Sequence, residues 1–215
     1  MPEPRYAIYF APQPQTPLAR LAVTWFSDPE AQSVTESPRH YGFHATLKPP
    51  MALRPGYRLE DLRAELQEFA GCEPRLTIPK LQVSLLGNFI ALTLAQPLSA
   101  LDALAALCVE HFEPFRQPEG SEEAAKRRRA SLTTRQLELL DRWGYPYVLD
   151  EWRFHMTLTS SLADPALRTT LLNRLESHFA PALEQPVLIE DLCLFMQPDR
   201  SSPFALTERF ACWVK

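Results

Sequence analysis

A six-residue pattern occurs twice in the chain, and matching segments follow both copies. Residues 42–47 (GFHATL) align with residues 153–158 (RFHMTL), with identity at the Phe, His, Thr and Leu positions. Leu81 and Leu192 lie at equal separations from His44 and His155, each within a later apolar run. A repeat of this kind predicts one supersecondary unit used twice.

The elements around the repeat mix helices and strands. Apolar residues spaced by three and four predict helices over 16–26, 59–72, 99–112, 133–143 and 165–179. Alternating or β-branched runs predict strands over 5–11, 41–48, 76–86, 89–94, 152–159, 187–196 and 204–214. We therefore expect an α+β fold built from a duplicated lobe, with the two copies facing each other across a cleft.

The repeat also predicts how the chain is divided. We expect a single bilobal domain over 1–215, in which lobe one covers about 1–98 and lobe two about 147–215. A proline-rich and then charged helical insertion over about 113–146 separates the two copies.

Side chains alternate between the two faces of a strand, so each copy of the pattern places its polar residues together. The shared face carries an imidazole, a hydroxyl and a cation in each copy, namely His44, Thr46 and Lys48, and then His155, Thr157 and Arg153. If the two strands face each other, these side chains form a pocket with two acid–base groups, two hydroxyl donors and two cations.

Two imidazoles in one pocket suit the cleavage of a phosphate ester. One neutral imidazole takes a proton from the attacking water while the other, protonated, gives a proton to the leaving oxygen. Each such transfer contributes about 10²–10⁴-fold to a rate. The threonine hydroxyls can donate to non-bridging phosphate oxygens, and Lys48 or Arg153 can offset the negative charge there. The pattern leaves open which histidine is the base.

Two histidines can also bind a metal ion, and this alternative has a recognisable spacing. No carboxylate or cysteine completes an H-x-x-x-H, H-x-H or H-E-x-x-H motif around either histidine. We therefore predict no metal and no cofactor. The six glycines are too far apart to form G-x-G-x-x-G or G-x-x-x-x-G-K-[ST], which excludes the usual dinucleotide and nucleoside triphosphate loops.

Three further side chains are candidates for substrate binding. Tyr9 lies in a strand expected beside the site, where core packing is its alternative role. Tyr41 directly precedes the first motif. Arg135 lies in the insertion and could reach over the cleft to bind a second phosphate. For Lys48 and Arg153, an ordinary surface charge is the alternative.

The charge balance limits the partners. With 22 Lys and Arg against 26 Asp and Glu, the net charge of −4 argues against a general polyanion binder. The basic run 126–129 is expected on a solvated helix face, with nucleic-acid contact as the alternative. Without a signal-peptide pattern or an apolar run of membrane-spanning length, we expect a cytoplasmic protein with no membrane partner. The pattern predicts no particular oligomeric state.

The two H-x-T patterns in a duplicated unit resemble the two-histidine (2H) phosphoesterase superfamily, which includes bacterial RNA 2′,3′-cyclic phosphodiesterases/2′-5′ RNA ligases. More narrowly, YGFHATLKPP (41–50), RQLELLDRWGYPYV (135–148) and EWRFHMTLT (151–159) resemble a bacterial branch encoded beside carbon–phosphorus lyase genes. The resemblance implies a LigT-like bilobal fold of duplicated antiparallel sheets with helices on the outside and a cleft between the lobes. It also implies hydrolysis of a small cyclic phosphate. It places His44, Thr46, His155 and Thr157 at the motif positions.

The link to phosphonate degradation suggests a substrate. Carbon–phosphorus lyase yields 5-phosphoribosyl 1,2-cyclic phosphate, which must be opened to ribose 1,5-bisphosphate. One alternative is an enzyme that acts on RNA 2′,3′-cyclic or 2′-5′ ends, in which case RNA would be the partner. We favour RNA less than a small-molecule substrate. Another is a protein that binds a nucleotide or phosphosugar without catalysis.

Overall fold

The computed structural model describes residues 3–118 and 131–213, so the basic run 126–129 lies outside the described residues. The strands are β1 (Arg5–Phe10), β2 (Ala45–Met51), β3 (Leu76–Ile78), β4 (Leu81–Leu86), β5 (Phe89–Leu94), β6 (His155–Thr157), β7 (Val187–Ile189), β8 (Asp191–Gln197) and β9 (Ala205–Ala211). The α-helices are α1 (Pro17–Ser27), α2 (Glu36–Tyr41), α3 (Leu59–Cys72), α4 (Ser99–His111), α5 (Thr134–Trp143) and α6 (Pro165–Leu183). Named strand pairs are antiparallel, which confirms the α+β expectation.

The sheets combine strands from both copies of the repeat. One sheet has the order β2-β1-β8-β9, the second β4-β5-β6 and the third β3-β7. The strand after His44 thus shares a sheet with the hairpin of the second copy, and the strand of His155 pairs with the hairpin of the first. This differs from the expectation that residues 1–98 and 147–215 form separate lobes. The three-residue strand β6 gains its backbone partners from β5, where Thr93 is opposite His155.

The apolar half of each motif is buried, as the alternation predicts. Ala45 and Leu47 in β2, like Met156 in β6 and Leu158 just after it, have no exposed surface. They belong to one apolar cluster that includes side chains of both larger sheets. Helix α4 packs on β2, and α6 packs on β4 and α1. With these residues anchored in the core, the polar residues between them are turned away from it.

Several boundaries differ from the expected ones. The strand predicted over 41–48 begins at Ala45, because α2 occupies the residues before Gly42, which has a φ of 76°. The strand predicted over 76–86 is divided at Pro79, which has no N–H to donate to a sheet. The resulting short strand β3 pairs with β7. No helix within the described ranges has the length and apolar character needed to cross a membrane.

Helix α5 positions Tyr145, the aromatic residue that follows its last turn. It begins with a capping box, in which the Thr133 hydroxyl accepts the N–H of Gln136 and the Gln136 side chain accepts the N–H of Thr133. It ends at Gly144, whose left-handed conformation (φ 73°) reverses the chain. The next residue, Tyr145, therefore leaves the helix toward the cleft described below.

Candidate active site

The two H-x-T motifs line two adjoining cavities, which together we call the histidine cleft. The first cavity, of about 580 Å³, is lined by His44, Thr46 and Thr157. The second, of about 490 Å³, is lined by His155 and Arg153. The residues common to both linings are Thr46, Phe89 and Tyr145. The four motif residues therefore line two cavities that share walls.

Three contacts fix the His44 ring. Its Nδ1 donates to the carbonyl oxygen of Gly42 at 2.9 Å, because a carbonyl can only accept. Nε2 then carries a lone pair in the neutral ring and lies 3.3 Å from Thr46 Oγ1. The ring also stacks on Tyr9, with a centroid distance of 3.7 Å and an interplanar angle of 15°. A Cβ at Gly42 would lie 3.2 Å from Phe195 Cε1, so this close turn favours glycine.

The His155 ring repeats this arrangement. Its Nδ1 donates to the carbonyl oxygen of Arg153 at 2.8 Å, two residues before the histidine, as Gly42 is in the first copy. Phe89 lies beside the ring at 5.8 Å between centroids. The indole Nε1 of Trp152 donates to the carbonyl oxygen of Thr46 at 2.8 Å and thereby ties the two motifs together. The repeat thus extends to the hydrogen bond that orients each imidazole.

Burial keeps both imidazoles neutral at pH 7. It lowers the pKa of His44 to about 4, against the hydrogen bond to Gly42, and the neighbouring His155 lowers that pKa further. Burial also lowers the pKa of His155, against its bond to the Arg153 carbonyl. Both rings therefore offer an Nε2 lone pair to a ligand. Burial raises the pKa of Tyr9, which keeps its hydroxyl neutral.

Lys48 does not share the face of His44 and Thr46, so that expectation is wrong. The pairing of β2 with β1 shifts between Lys48, opposite Ile8, and Thr46, opposite Tyr9. The extra residue between them forms a β-bulge, which breaks the alternation. The Lys48 side chain is 1% exposed. Its Nζ donates to the Val109 carbonyl and to Glu113 Oε2, each at 2.8 Å.

Arg135 does not lie over the histidine cleft either. Its Nε and Nη2 donate to the two carboxylate oxygens of Asp150, at 2.9 and 2.6 Å, and Nη1 donates to Glu138 at 3.1 Å. Two carboxylates thus hold this guanidinium at the surface, because a bidentate pair satisfies its planar fork of donors. The expected reach of Arg135 toward a second phosphate is wrong.

The remaining candidates line the cleft. Arg153 is exposed at the rim beside His155. Tyr9 and Tyr41 line the first cavity, where Tyr41 stacks on Phe204 with a centroid distance of 5.5 Å. Their direct contact with a substrate stays a prediction.

The sequence reasoning missed several lining residues, among them Phe89, Tyr145 and Arg5. Phe89 occupies the same position in its hairpin as Phe204 in the other copy, and the repeat was the signal that could have found it. Tyr145 lies in the stretch RWGYPYV. Arg5, at the start of β1, lines the first cavity and carries no sequence signal. Within the described parts of the chain, no three His, Cys, Asp or Glu side chains come together as a metal site would require.

Two curated proteins are similar to this chain. Both are named ribose 1,5-bisphosphate phosphokinase PhnN. The one from Janthinobacterium sp. (strain Marseille) is 36% identical over 95% of this chain and 50% of its own length. The one from Laribacter hongkongensis (strain HLHK9) is 32% identical over 94% of this chain and 50% of its own length. The chain thus spans about half the length of the curated relatives it matches.

Among solved structures, E. coli LigT in its apo form is similar over 99% of both chains, with a TM-score of 0.49 and 14% identity. E. coli LigT complexed with 3′-AMP covers the same shares, with a TM-score of 0.48 and 15% identity. One family profile, described as a protein of unknown function (DUF1045), matches residues 46–205. Since this match covers well over half of the 215 residues, the chain belongs to the DUF1045 family.

Proposed function

We propose that the chain is a metal-independent cyclic phosphodiesterase that opens a small cyclic phosphate. The observation that carries this proposal is the paired geometry of the imidazoles. In each motif Nδ1 is bonded to the carbonyl two residues earlier, which leaves Nε2 for the shared cleft. Two imidazoles oriented in this way can divide the roles of base and acid.

The reaction balances with water as the co-substrate. His44, with its pKa lowered to about 4, is neutral and takes a proton from a water molecule while the oxygen of that water forms a bond to phosphorus. The bond from phosphorus to one ring oxygen breaks, and that oxygen takes a proton from His155. The anionic substrate supports this second role, because a nearby negative charge raises the pKa of an imidazole. Thr157 can donate to a non-bridging oxygen, and Thr46 can do so when its hydroxyl turns from His44 Nε2 to the phosphate.

The names of the relatives support a ribose substrate. Both relatives are named for a kinase of ribose 1,5-bisphosphate, and this chain matches half of each. The chain contains no G-x-x-x-x-G-K-[ST] motif, so we assign the kinase step to the other half of those proteins. Opening of 5-phosphoribosyl 1,2-cyclic phosphate yields ribose 1,5-bisphosphate, the compound in their name. We therefore propose this cyclic phosphate as the substrate.

A second candidate is a nucleotide with a 2′,3′-cyclic phosphate. The second cavity of the histidine cleft has an aromatic wall, and aromatic rings provide stacking surfaces for nucleobases. The wall consists of Phe89, Tyr145, Tyr147 and Trp152. A base stacked there would place its ribose phosphate close to His155.

The two candidates are separated by ³¹P NMR. The purified protein is incubated with 5-phosphoribosyl 1,2-cyclic phosphate or with 2′,3′-cyclic AMP, with and without EDTA. We expect the cyclic signal of the ribose compound to be replaced by that of a phosphate monoester at a rate that EDTA does not change. Turnover of the nucleotide alone would favour the second candidate. No turnover of either by folded protein would contradict the enzymatic proposal.

The ring-opening rate is expected to be highest in mildly acidic solution. Below about pH 4 His44 is protonated and cannot act as the base. Toward alkaline pH His155 loses its proton, and burial lowers its pKa below the usual histidine value of about 6.5. Because kcat/KM reports the pKa values of the free enzyme, its pH profile should be bell-shaped between these limits. Circular dichroism over the same range separates protonation from unfolding, and a profile centred above pH 7 would contradict these roles.

A further inference from the structure

A side-chain hydrogen bond joins the two H-x-T motifs directly. The indole Nε1 of Trp152 donates to the carbonyl oxygen of Thr46 at 2.8 Å, although 106 positions separate the two residues in the chain. Strands β2 and β6 belong to different sheets, and each is an edge strand of its sheet. No backbone ladder pairs these two strands within the described residues, so side-chain contacts and core packing set their separation.

Each end of this hydrogen bond lies next to a group that fixes an imidazole. Trp152 directly precedes Arg153, whose carbonyl oxygen accepts from His155 Nδ1 at 2.8 Å. Thr46 carries the hydroxyl oxygen that lies 3.3 Å from His44 Nε2. The hydrogen bond from Trp152 therefore connects the backbone that orients one histidine with the residue that contacts the other.

The turn before Trp152 carries backbone strain. Leu149 has a φ of 52°, in the left-handed region that a bulky side chain disfavours. It begins a 3₁₀ turn (Leu149–Glu151), and the N–H of Trp152 donates to the Leu149 carbonyl at 3.0 Å. Strain of this kind persists only where surrounding contacts hold the backbone, and it clusters at functional sites. The hydrogen bond from Trp152 to Thr46 is such a contact.

We propose that Trp152 is a positioning residue that holds the two imidazoles at the separation required by a single phosphate group. The inference rests on the proposed function, in which one imidazole takes a proton while the other gives one. Both rings must then reach oxygens on opposite sides of the same phosphorus atom, so their spacing limits the rate. A displacement of about 1 Å between reacting groups can cost about 10²-fold in rate.

The test compares two substrates that differ in their need for a second histidine. One is 5-phosphoribosyl 1,2-cyclic phosphate, and the other is a phosphodiester with a nitrophenol leaving group, which leaves without a proton from an acid. Trp152→Phe keeps an aromatic ring but has no N–H to donate. We expect about 10- to 100-fold lower kcat on the cyclic phosphate with KM nearly unchanged, and a much smaller loss on the nitrophenyl ester. Losses by the same factor on both substrates, or no loss, would overturn the inference.

Two further variants show whether the N–H itself carries the effect. Trp152→His should recover part of the lost rate, because the five-membered ring of histidine places Nε2 where the indole has Nε1 and can donate from there. The matched control is Trp25→Phe, which removes the indole N–H that donates to the Leu158 carbonyl at 2.9 Å and holds the second motif against α1. This control should lower the melting temperature without changing the ratio of the two rates. Equal losses in Trp152→Phe and Trp152→His, or a changed ratio in Trp25→Phe, would overturn the inference.

A binding measurement keeps this inference separate from the proposed function. Inorganic phosphate is titrated into the wild type and into Trp152→Phe, and the ring nitrogens of His44 and His155 are followed by ¹H–¹⁵N NMR. We expect both rings of the wild type to respond with one Kd, since the anion lies between them, and about 10-fold weaker binding in Trp152→Phe. If the wild type opens neither substrate but gives this result, the proposed function fails and the positioning role stands. Separate responses of the two rings in the wild type, or an unchanged Kd in Trp152→Phe, would overturn the inference.

Discussion

Replacing either His44 or His155 with Ala should reduce turnover of the cyclic phosphate by about 10²–10⁴-fold, because each imidazole moves one proton in the transition state. Both side chains border the histidine cleft, so their loss removes a reacting group with a modest loss of packing. The measurement is kcat by ³¹P NMR for each variant, with thermal unfolding followed by circular dichroism.

The matched control is His111→Ala. This imidazole lies at the end of α4, about 40% exposed, where its Nε2 faces Glu65 Oε1 at the surface. Full turnover in this variant beside the loss in the other two would assign the effect to the cleft. The double variant should lose little more than either single variant if the histidines act as a unit. Turnover retained in His44→Ala or His155→Ala would contradict the two-histidine mechanism.

The two variants should also differ in a way that separates base from acid. A cyclic or open diester whose leaving alcohol is acidic, such as a nitrophenol, needs no proton on its leaving oxygen. His155→Ala should therefore recover much of its activity on such a compound, whereas His44→Ala should not. The opposite outcome would exchange the two roles and leave the paired mechanism in place.

The motif residues were predictable because their signals are local. The alternation of a strand separates Ala45 and Leu47 from Thr46, and Met156 and Leu158 from their polar neighbours. When the core buries these apolar side chains, the polar side chains of the same strand are placed on the opposite face. The occurrence of the same pattern twice indicated that the polar sets belong to one site, and the structure brings them to the same cleft.

The errors have non-local causes. Each motif strand lies in a sheet with the hairpin of the other copy, as β6 does with β4 and β5. Which hairpin edge a strand such as β6 pairs with depends on the whole fold, and no sequence pattern within one copy indicates it. The position of Lys48 depends on a bulge against β1, which is a property of the pair of strands. Arg135 is held by Asp150, which lies in another element of the chain and forms no recognisable motif with it.

The buried pair of Lys48 and Glu113 is expected to dominate the stability of the region beneath α4. Glu113→Ala would leave the ammonium of Lys48, 1% exposed, with the Val109 carbonyl as its acceptor among the described residues. We expect a loss of about 3 kcal/mol in the free energy of unfolding, near the lower limit for breaking a buried pair, because the Glu113 side chain is 21% exposed. Lys48→Met should cost less, since Glu113 keeps Arg116 as its partner. Urea unfolding measures both values.

The matched control is Glu208→Ala, which breaks the exposed pair between Glu208 and Arg63 and should cost about 1 kcal/mol or less. The pH dependence supplies a second signature. Burial lowers the pKa of Lys48, whereas Glu113 raises it. Without Glu113 this pKa falls further, so the unfolded chain binds more protons than the folded one below the usual lysine pKa of about 10.5. Stability of Glu113→Ala should therefore recover as the pH rises from 7 toward that value. A loss that is independent of pH, or equal in Glu113→Ala and Glu208→Ala, would show that Lys48 does not depend on Glu113 for its place in the core.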